Sequence, residues 1–168
     1  MTADRLLAVH STAATSLYGG IPDLVGFRLR SLHLNWRGPT VTLRVDLPAL
    51  PPHLPREWRE EGIDTVQCHF QFLAVEDFSL TEWEPPVPSV TLTAVPLPVA
   101  ERVEIRLTGE GVRASFSCNR SVLIGHFSGF VAPADRSDRG RHVFLGKLDR
   151  LRHRSVPEPE ERIFFERL

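Results

Sequence analysis

Carboxylates form two clusters in the sequence, and each cluster contains a tryptophan. The first holds Glu57, Glu60, Glu61 and Asp64 around Trp58, and the second holds Glu76, Asp77, Glu82 and Glu84 around Trp83. Paired carboxylates can act as general acid and base in hydrolysis. Solvated loops are equally rich in carboxylates, and a tryptophan in a polar loop is often an interface anchor. The two clusters therefore indicate either solvated loops or a binding surface, and either tryptophan could instead belong to the core.

The seven histidines and two cysteines are the next candidates for chemistry, as metal ligands. No two histidines have the i, i+2 or i, i+4 spacing that places imidazoles on one face of an element. Cys68 and His69 are neighbours in a predicted strand, so their side chains point to opposite sides. This pattern favours a buried, reduced thiol at Cys68 and an imidazole at the surface. The sequence predicts no metal site and no cofactor.

Two short motifs resemble catalytic or nucleotide-binding patterns. The stretch from Gly125 to Gly129 places His126 two residues before Ser128, which leaves a hydrolase as a remote alternative. Residues 109–114 fit the pattern G-x-G-x-x-A, but period-two alternation follows them where a phosphate-binding helix would be needed. A hairpin with a three-residue glycine loop at 109–111 is the better interpretation. We therefore predict no catalytic residue.

Alternation of apolar and polar residues is the strongest structural signal in the chain, and it predicts about eight short strands. They span residues 27–34, 41–47, 66–72, 78–83, 90–95, 103–107, 112–118 and 121–130. Such a pattern predicts a mainly β (α+β) fold, with an antiparallel sheet arranged as a sandwich or an open barrel.

Few helices are predicted. The first covers residues 2–17, ends at Gly19 and Gly20, and has an apolar stripe of Leu6, Val9, Ala13 and Leu17. One helical turn is expected at 56–61 after a proline-rich loop. A short C-terminal helix at 159–168 could dock through Ile163, Phe164 and Leu168.

Charge divides the chain into two parts. Residues 1–131 sum to −3 and residues 132–168 to +2, so we predict a β-rich domain followed by a basic extension. The overall charge of −1 argues against a generally basic nucleic-acid binder. No secretory signal or membrane-spanning segment is recognised, and two cysteines usually stay reduced inside the cell, so a cytoplasmic location is expected.

Several segments, read in order, carry a family resemblance. They are LYGGIPDL at 17–24, RGPTVTLRVDLP at 37–48, Trp58 followed by DTVQ at 64–67, and the glycine hairpin with residues 116–118. Together they cover about residues 17–130 and resemble the immunity protein 50 family of bacterial polymorphic toxin systems.

The resemblance implies a non-enzymatic, cytoplasmic protein that binds and neutralises a toxin encoded nearby. We expect the toxin contacts at Glu57, Trp58, Glu60, Glu61 and Trp83. A small-molecule-binding β module is the alternative, with a lumen lined by Phe70, Phe72, Phe116 and Phe127 rather than a solid core. Neither a nucleic acid nor a membrane is expected as partner.

Overall fold

The structure, a computed structural model, describes residues 6–9 and 11–168. Its strands are β1 (Leu7–Val9), β2 (Val25–Asn35), β3 (Thr40–Asp46), β4 (Thr65–Phe72), β5 (Glu76–Trp83), β6 (Val87–Pro96), β7 (Arg102–Gly109), β8 (Val112–Asn119), β9 (Ser121–Phe130) and β10 (Val143–Phe144). Its helices are α1 (Thr12–Tyr18), α2 (Arg56–Glu60), α3 (Lys147–Arg152) and α4 (Arg162–Glu166). The prediction of a mainly β fold with short helices is confirmed, and the eight predicted strands correspond to β2–β9.

The ten strands of the described residues belong to one open sheet. Their order is β1-β9-β4-β3-β2-β6-β7-β8-β5, and β10 pairs with β9 beyond the end of β1. The β1–β9 pair is parallel and the other pairs are antiparallel, so the sheet is mixed. Alternation within strands predicts the antiparallel part well, but it gives no sign of the short parallel edge strand.

The sheet curls around a single apolar core. Phe72 on β4 contacts Phe116 on β8 edge to face, with 5.4 Å between ring centroids, although four strands lie between β4 and β8 in the sheet order. Apolar side chains from both halves of the sheet form one continuous cluster, which includes Cys68 and Cys118 as buried free thiols. Burial in this cluster raises the pKa of the Cys68 thiol well above its usual value.

The N-terminal helix is shorter than predicted. Only α1 is helical, and Leu7–Val9 instead form β1 along the edge of β9, where the Leu7 amide donates to the Arg120 carbonyl (2.8 Å). Pairing with the open edge of β9 satisfies backbone N–H and C=O groups that would stay unpaired at the start of a helix. Gly19 ends α1 as predicted, with a φ of +77°. The first residues of the predicted helix, Thr2 to Arg5, lie outside the described residues.

The glycine hairpin forms where it is predicted, with a shorter loop. Gly109 pairs with Val112 as the last residue of β7, so the loop is Glu110 and Gly111 only. Gly111 has the predicted left-handed conformation (φ +107°). Gly109 is needed for another reason, because a Cβ there would lie 2.6 Å from the Ser89 carbonyl oxygen of the neighbouring strand.

The C-terminal segment, residues 132–168, packs on the face of the sheet that points away from the apolar core. It contributes β10, α3 and α4, and a small second cluster of Phe144, Phe164 and Phe165. The predicted docking face of α4 is partly wrong, because Ile163 (61% exposed) faces solvent and Phe165 is buried instead. Leu168 is partly exposed and lies beside Gly125 of β9. Division of the chain into two domains near residue 132 stays a prediction.

Candidate interaction surfaces

The first predicted contact region is the short helix α2. Trp58 on this helix is fully buried, and its ring lies against Gly129 of β9, where a Cβ would be 3.1 Å from the indole. A side chain without exposed surface cannot anchor a partner directly, so the expected contact at Trp58 is not compatible with this conformation. Its indole N–H has no partner among the described residues. Trp58 holds α2 on the sheet.

The three glutamates of this region lie at the surface as expected, but each is already paired. Glu60 binds Arg56 on the same helix (2.7 Å). Glu57 binds Arg150 of α3, and Glu61 binds Arg141 (2.7 Å). Because a guanidinium neutralises each carboxylate, the cluster presents little free negative charge. Two of the three pairs instead join α2 to the C-terminal segment.

Trp83, the second tryptophan considered above, lies at the end of edge strand β5. It pairs with Val112 of β8, is half-buried, and packs against the main core. Part of the indole remains accessible. The expected contacts at Trp83 and at the three glutamates stay predictions.

Trp36 is the most exposed tryptophan, and sequence reasoning missed it. It lies 81% exposed in the turn between β2 and β3, with the Arg37 guanidinium 5.1 Å from its ring centroid. The Asn35 side chain accepts from the Arg37 amide (3.0 Å) and fixes the turn. The sequence Asn-Trp-Arg-Gly-Pro is typical of an exposed turn, so this signal was available.

A layer of polar side chains lies between the sheet and the C-terminal segment. The buried members are Thr42, Asp46, Gln67, His69, Gln71, Ser128 and His142. Arg30 binds Asp46 (2.5 Å), and the Gln67 amide donates to both Asp46 (2.8 Å) and Asp138 (2.9 Å). The carboxylate of Asp138 also binds Arg44. A strand face that alternation predicts to be solvated is thus covered.

His69 is the clearest departure from the sequence prediction, because it is buried instead of exposed at the surface. Only 1% of it is accessible, and neither ring nitrogen has a hydrogen-bond partner in the described part of the chain. Its ring contacts His126 and Phe164, each with centroids 4.9 Å away. Burial lowers the pKa of His69 well below its ordinary value, and His126, Arg44 and His33 lower it further. The imidazole is therefore neutral.

Unlike His69, His126 has a hydrogen-bond partner at both ring nitrogens. Its Nδ1 lies 2.8 Å from Asp149 Oδ2 on α3, and its Nε2 lies 2.7 Å from the Arg167 carbonyl oxygen. Both neighbours are acceptors, to which an imidazole N–H can donate. The residue sits at a bulge of β9 with a φ of +51°. Through these bonds, β9 holds both α3 and the end of the chain.

Ser128 and His126 do not form the pair that their spacing suggested, because Ser128 uses another histidine. The Ser128 hydroxyl donates to His142 Nδ1 (2.8 Å), and His142 Nε2 donates to the Asp138 carbonyl (2.9 Å). Burial lowers the pKa of His142, which favours this neutral tautomer. Ser128 and His142 are both almost completely buried, so a substrate does not reach the hydroxyl in this conformation.

The apolar lumen considered for a small ligand is filled by its own side chains. Phe70, Phe72, Phe116 and Phe127 are each at most 2% exposed and belong to the continuous core. Within residues 6–9 and 11–168, no three His, Cys, Asp or Glu side chains gather in a way that could hold a metal ion.

The sequence of the sheet and its connecting segments matches a known protein family. Residues 11–124, about two thirds of the chain, match the model of the family described as Immunity protein 50. The chain belongs to the immunity protein 50 family. No curated protein and no solved structure matches it. The resemblance predicted from the sequence is confirmed.

The immunity protein 50 match covers α1 through the first half of β9 and ends before the C-terminal segment. It therefore contains the Trp36 turn, α2 and most of the curled sheet, whereas β10, α3 and α4 lie outside the matched residues. None of the helices in the described ranges is long and apolar enough to cross a membrane.

Proposed function

We propose that this protein is a cytoplasmic bacterial immunity protein that binds a toxin encoded beside its gene and neutralises it without catalysis. Membership of the immunity protein 50 family is the observation that carries the proposal. The burial of Ser128 and His142 supports a binding function, since the best-formed serine–histidine pair is closed to substrates.

Such an inhibitor needs high affinity, and a Kd near a nanomolar corresponds to about 12 kcal/mol of binding free energy. A few apolar or aromatic anchors, together with complementary charges, usually supply most of it. The most exposed large apolar side chains of the described surface, Trp36, Leu148 and Leu151, lie in the β2–β3 turn and in the C-terminal segment. The glutamates 57, 60 and 61 and Trp83 remain proposed contacts, whereas Trp58 would act only by holding α2 in position.

Co-expression tests the proposal directly. The C-terminal domain of the toxin encoded next to this gene is expressed in a bacterial host, alone and together with the full chain. We expect toxin alone to stop growth, and the full chain to restore growth and to co-purify with the toxin domain. Failure of the folded chain to restore growth would contradict the proposed function.

A matched control separates binding from mere presence of the protein. The variant Trp58→Ala removes a buried core residue, so it lowers the amount of folded protein without removing surface groups. Rescue is expected to follow the level of folded protein in this variant. The exposed residue Val99, changed to Ser, provides the variant that should rescue as well as the natural chain.

A further inference from the structure

Five of the seven histidines lie at or beside the contact between the sheet and the C-terminal segment. The ring centroid of each lies 4.4–5.2 Å from that of a phenylalanine, and Phe164 and Phe165 of α4 provide four of these five contacts. The protonation of histidine changes between about pH 5 and pH 8, so a contact of this composition can respond to pH. This histidine layer consists of His33, His69, His126, His142 and His153.

His69 of β4 lies in the middle of the histidine layer, where a charge is costly. Its ring is enclosed by Phe164 of α4 and His126 of β9, each with centroids 4.9 Å away. Arg44 of β3 and His33 of β2 are the other groups whose positive charge acts on it. Neither ring nitrogen has a hydrogen-bond partner within residues 6–9 and 11–168. A proton on His69 in the docked state would be a buried charge without an acceptor.

His126, the neighbour of His69, is placed where a second proton can be held. Its Nδ1 lies 2.8 Å from the Asp149 carboxylate of α3, and its Nε2 lies 2.7 Å from the Arg167 carbonyl oxygen. A doubly protonated imidazole can donate to both acceptors. Its charge then opposes a further charge on His69, 4.9 Å away between ring centroids. His126 can therefore be charged in the docked state, whereas His69 takes a proton only after the segment has moved away.

Two further histidines of the layer favour the same response. Burial lowers the pKa of His33 and of His142 below the ordinary value of 6.5, and the arginine of β3 lowers both further. Glu166 of α4 offsets part of this lowering at His33. Asp138 and Asp46 do the same at His142. His33, His69 and His142 each gain affinity for protons when they become solvated, so docking is favoured above about pH 6.5 and weakened below it.

Opening of the C-terminal segment alone is enough to solvate these groups. The two completely buried histidines of the described residues, His69 and His142, both belong to the layer. The main core on the other face of the sheet is an apolar cluster. Proton uptake therefore acts on the contact with the segment and leaves the principal stabilisation of the sheet in place.

We infer that the C-terminal segment, residues 132–168, is an acid-released cover. Below about pH 6, proton uptake by the histidine layer detaches α3 and α4 from the sheet, while the curled sheet stays folded. The released state exposes the polar side of β3, β4 and β9. This device does not depend on the proposed toxin-binding function.

Hydrogen exchange of the natural full-length chain between pH 7.5 and pH 5.5 tests this inference. Each rate is compared with the intrinsic rate of the same amide, which removes the direct effect of pH on exchange. We expect the protection of β10, α3 and α4 to fall at least about 10-fold over this range, the effect of one histidine that stays neutral when docked. At pH 5.5, β7 and β8 should remain protected, and the far-ultraviolet circular dichroism should keep its strand signal.

Two matched variants locate the proton. His69→Phe keeps an aromatic ring in the layer and removes the group that is protonated. His53→Phe makes the same change at an exposed position in the loop before α2. We expect the fall in protection to be about 10-fold smaller in His69→Phe and unchanged in His53→Phe. Protection of β7 and β8 at pH 7.5 shows that each variant has folded.

Three results would overturn the inference. The first is protection of the segment that does not change with pH in the natural chain. The second is loss of protection in β7 and β8 at the same pH as in the segment, which would mean that the chain unfolds as one unit. The third is an equal fall in the natural chain and in folded His69→Phe. The first two concern the natural chain, so the test does not require that His69→Phe folds.

Discussion

The two faces of the central strands are covered in different ways. On the inner face, Val45, Cys68 and Phe70 join a continuous apolar cluster that the curled sheet surrounds. On the outer face, residues of the same strands, such as Asp46 and His69, lie under the C-terminal segment in a polar layer. The same alternating pattern thus supports an apolar core on one side and a polar contact on the other.

This difference has an energetic consequence. Burial of apolar area stabilises the inner face by roughly 25 cal/mol per Å². Buried ion pairs, such as Arg30 with Asp46, recover little more than the cost of removing the charges from water. The unpaired His69 adds no hydrogen bond to offset its desolvation. The C-terminal segment should therefore open at a lower free energy than the sheet around the inner core.

The largest expected effect is on the free energy of unfolding, and it distinguishes the most buried tryptophan from the most exposed one. Trp58→Ala leaves a cavity in the core and should lower the free energy of unfolding by about 3–5 kcal/mol. Trp36→Ala removes an exposed ring and should change it by less than about 0.5 kcal/mol. Urea titration at neutral pH measures both. Equal losses in the two variants would contradict the assignment of Trp58 to the core.

The second prediction concerns the cover of the outer face. Phe165 stacks on His33 with centroids 4.5 Å apart and is buried, so Phe165→Ala should destabilise docking of α4 by about 3 kcal/mol. The loss should appear as faster amide hydrogen exchange in residues 132–168, with exchange in β7 and β8 unchanged. The neighbouring variant Ile163→Ala, at a solvent-facing position, is the control. Faster exchange throughout the sheet would show that the two faces unfold as one unit.

The third prediction is that stability depends on pH through buried histidines of the outer face. Burial lowers the folded-state pKa of His33, His69 and His142 below the ordinary value near 6.5. The unfolded chain therefore binds protons that the folded chain does not, and stability is complete above about pH 6.5 and falls as the pH drops below it. Each such histidine contributes at most about 1.4 kcal/mol per pH unit.

The variant His69→Leu sharpens this test. It removes one of the three titrations and an imidazole that has no hydrogen-bond partner among the described residues, so stability at neutral pH should stay within about 1 kcal/mol of the natural chain or rise. The decline in stability between about pH 6.5 and pH 5.5 should become shallower. Urea titrations over this range measure it. An unchanged slope would show that His69 does not titrate on unfolding.

The smallest effect is expected for the exposed ion pairs that join α2 to the C-terminal segment. Replacement of Glu57 and Glu61 by Gln breaks the pairs with Arg150 and Arg141 and should cost less than about 1 kcal/mol each. The small loss should shrink further in high salt. A loss of several kcal/mol would show that these pairs, and not Phe164 and Phe165, hold the segment in place.

The sequence predicted the strands well because alternation acts locally. Residues 41–47 and 66–72 carry period-two patterns that the sheet then uses. The same pattern gives no information on what covers the polar side of a strand. His69 was therefore placed at the surface, although Phe164, nearly a hundred positions later in the chain, lies against it.

The candidate site was harder to predict than the fold. Composition drew attention to Glu57, Glu60 and Glu61, but the arginine partners of Glu57 and Glu61 are distant in sequence, and only the folded chain shows their pairing. Burial of Trp58 likewise depends on contact with β9. The exposed leucines of α3 were missed because Leu148 and Leu151 look like an ordinary apolar stripe in the sequence, whereas the structure leaves both of them exposed.

Hydrogen exchange of the natural full-length chain tests the different cover of the two faces most directly. We predict faster exchange of the protected amides in the C-terminal segment, residues 132–168, than in β7 and β8. Equal exchange rates in the C-terminal segment and in these strands would contradict this account.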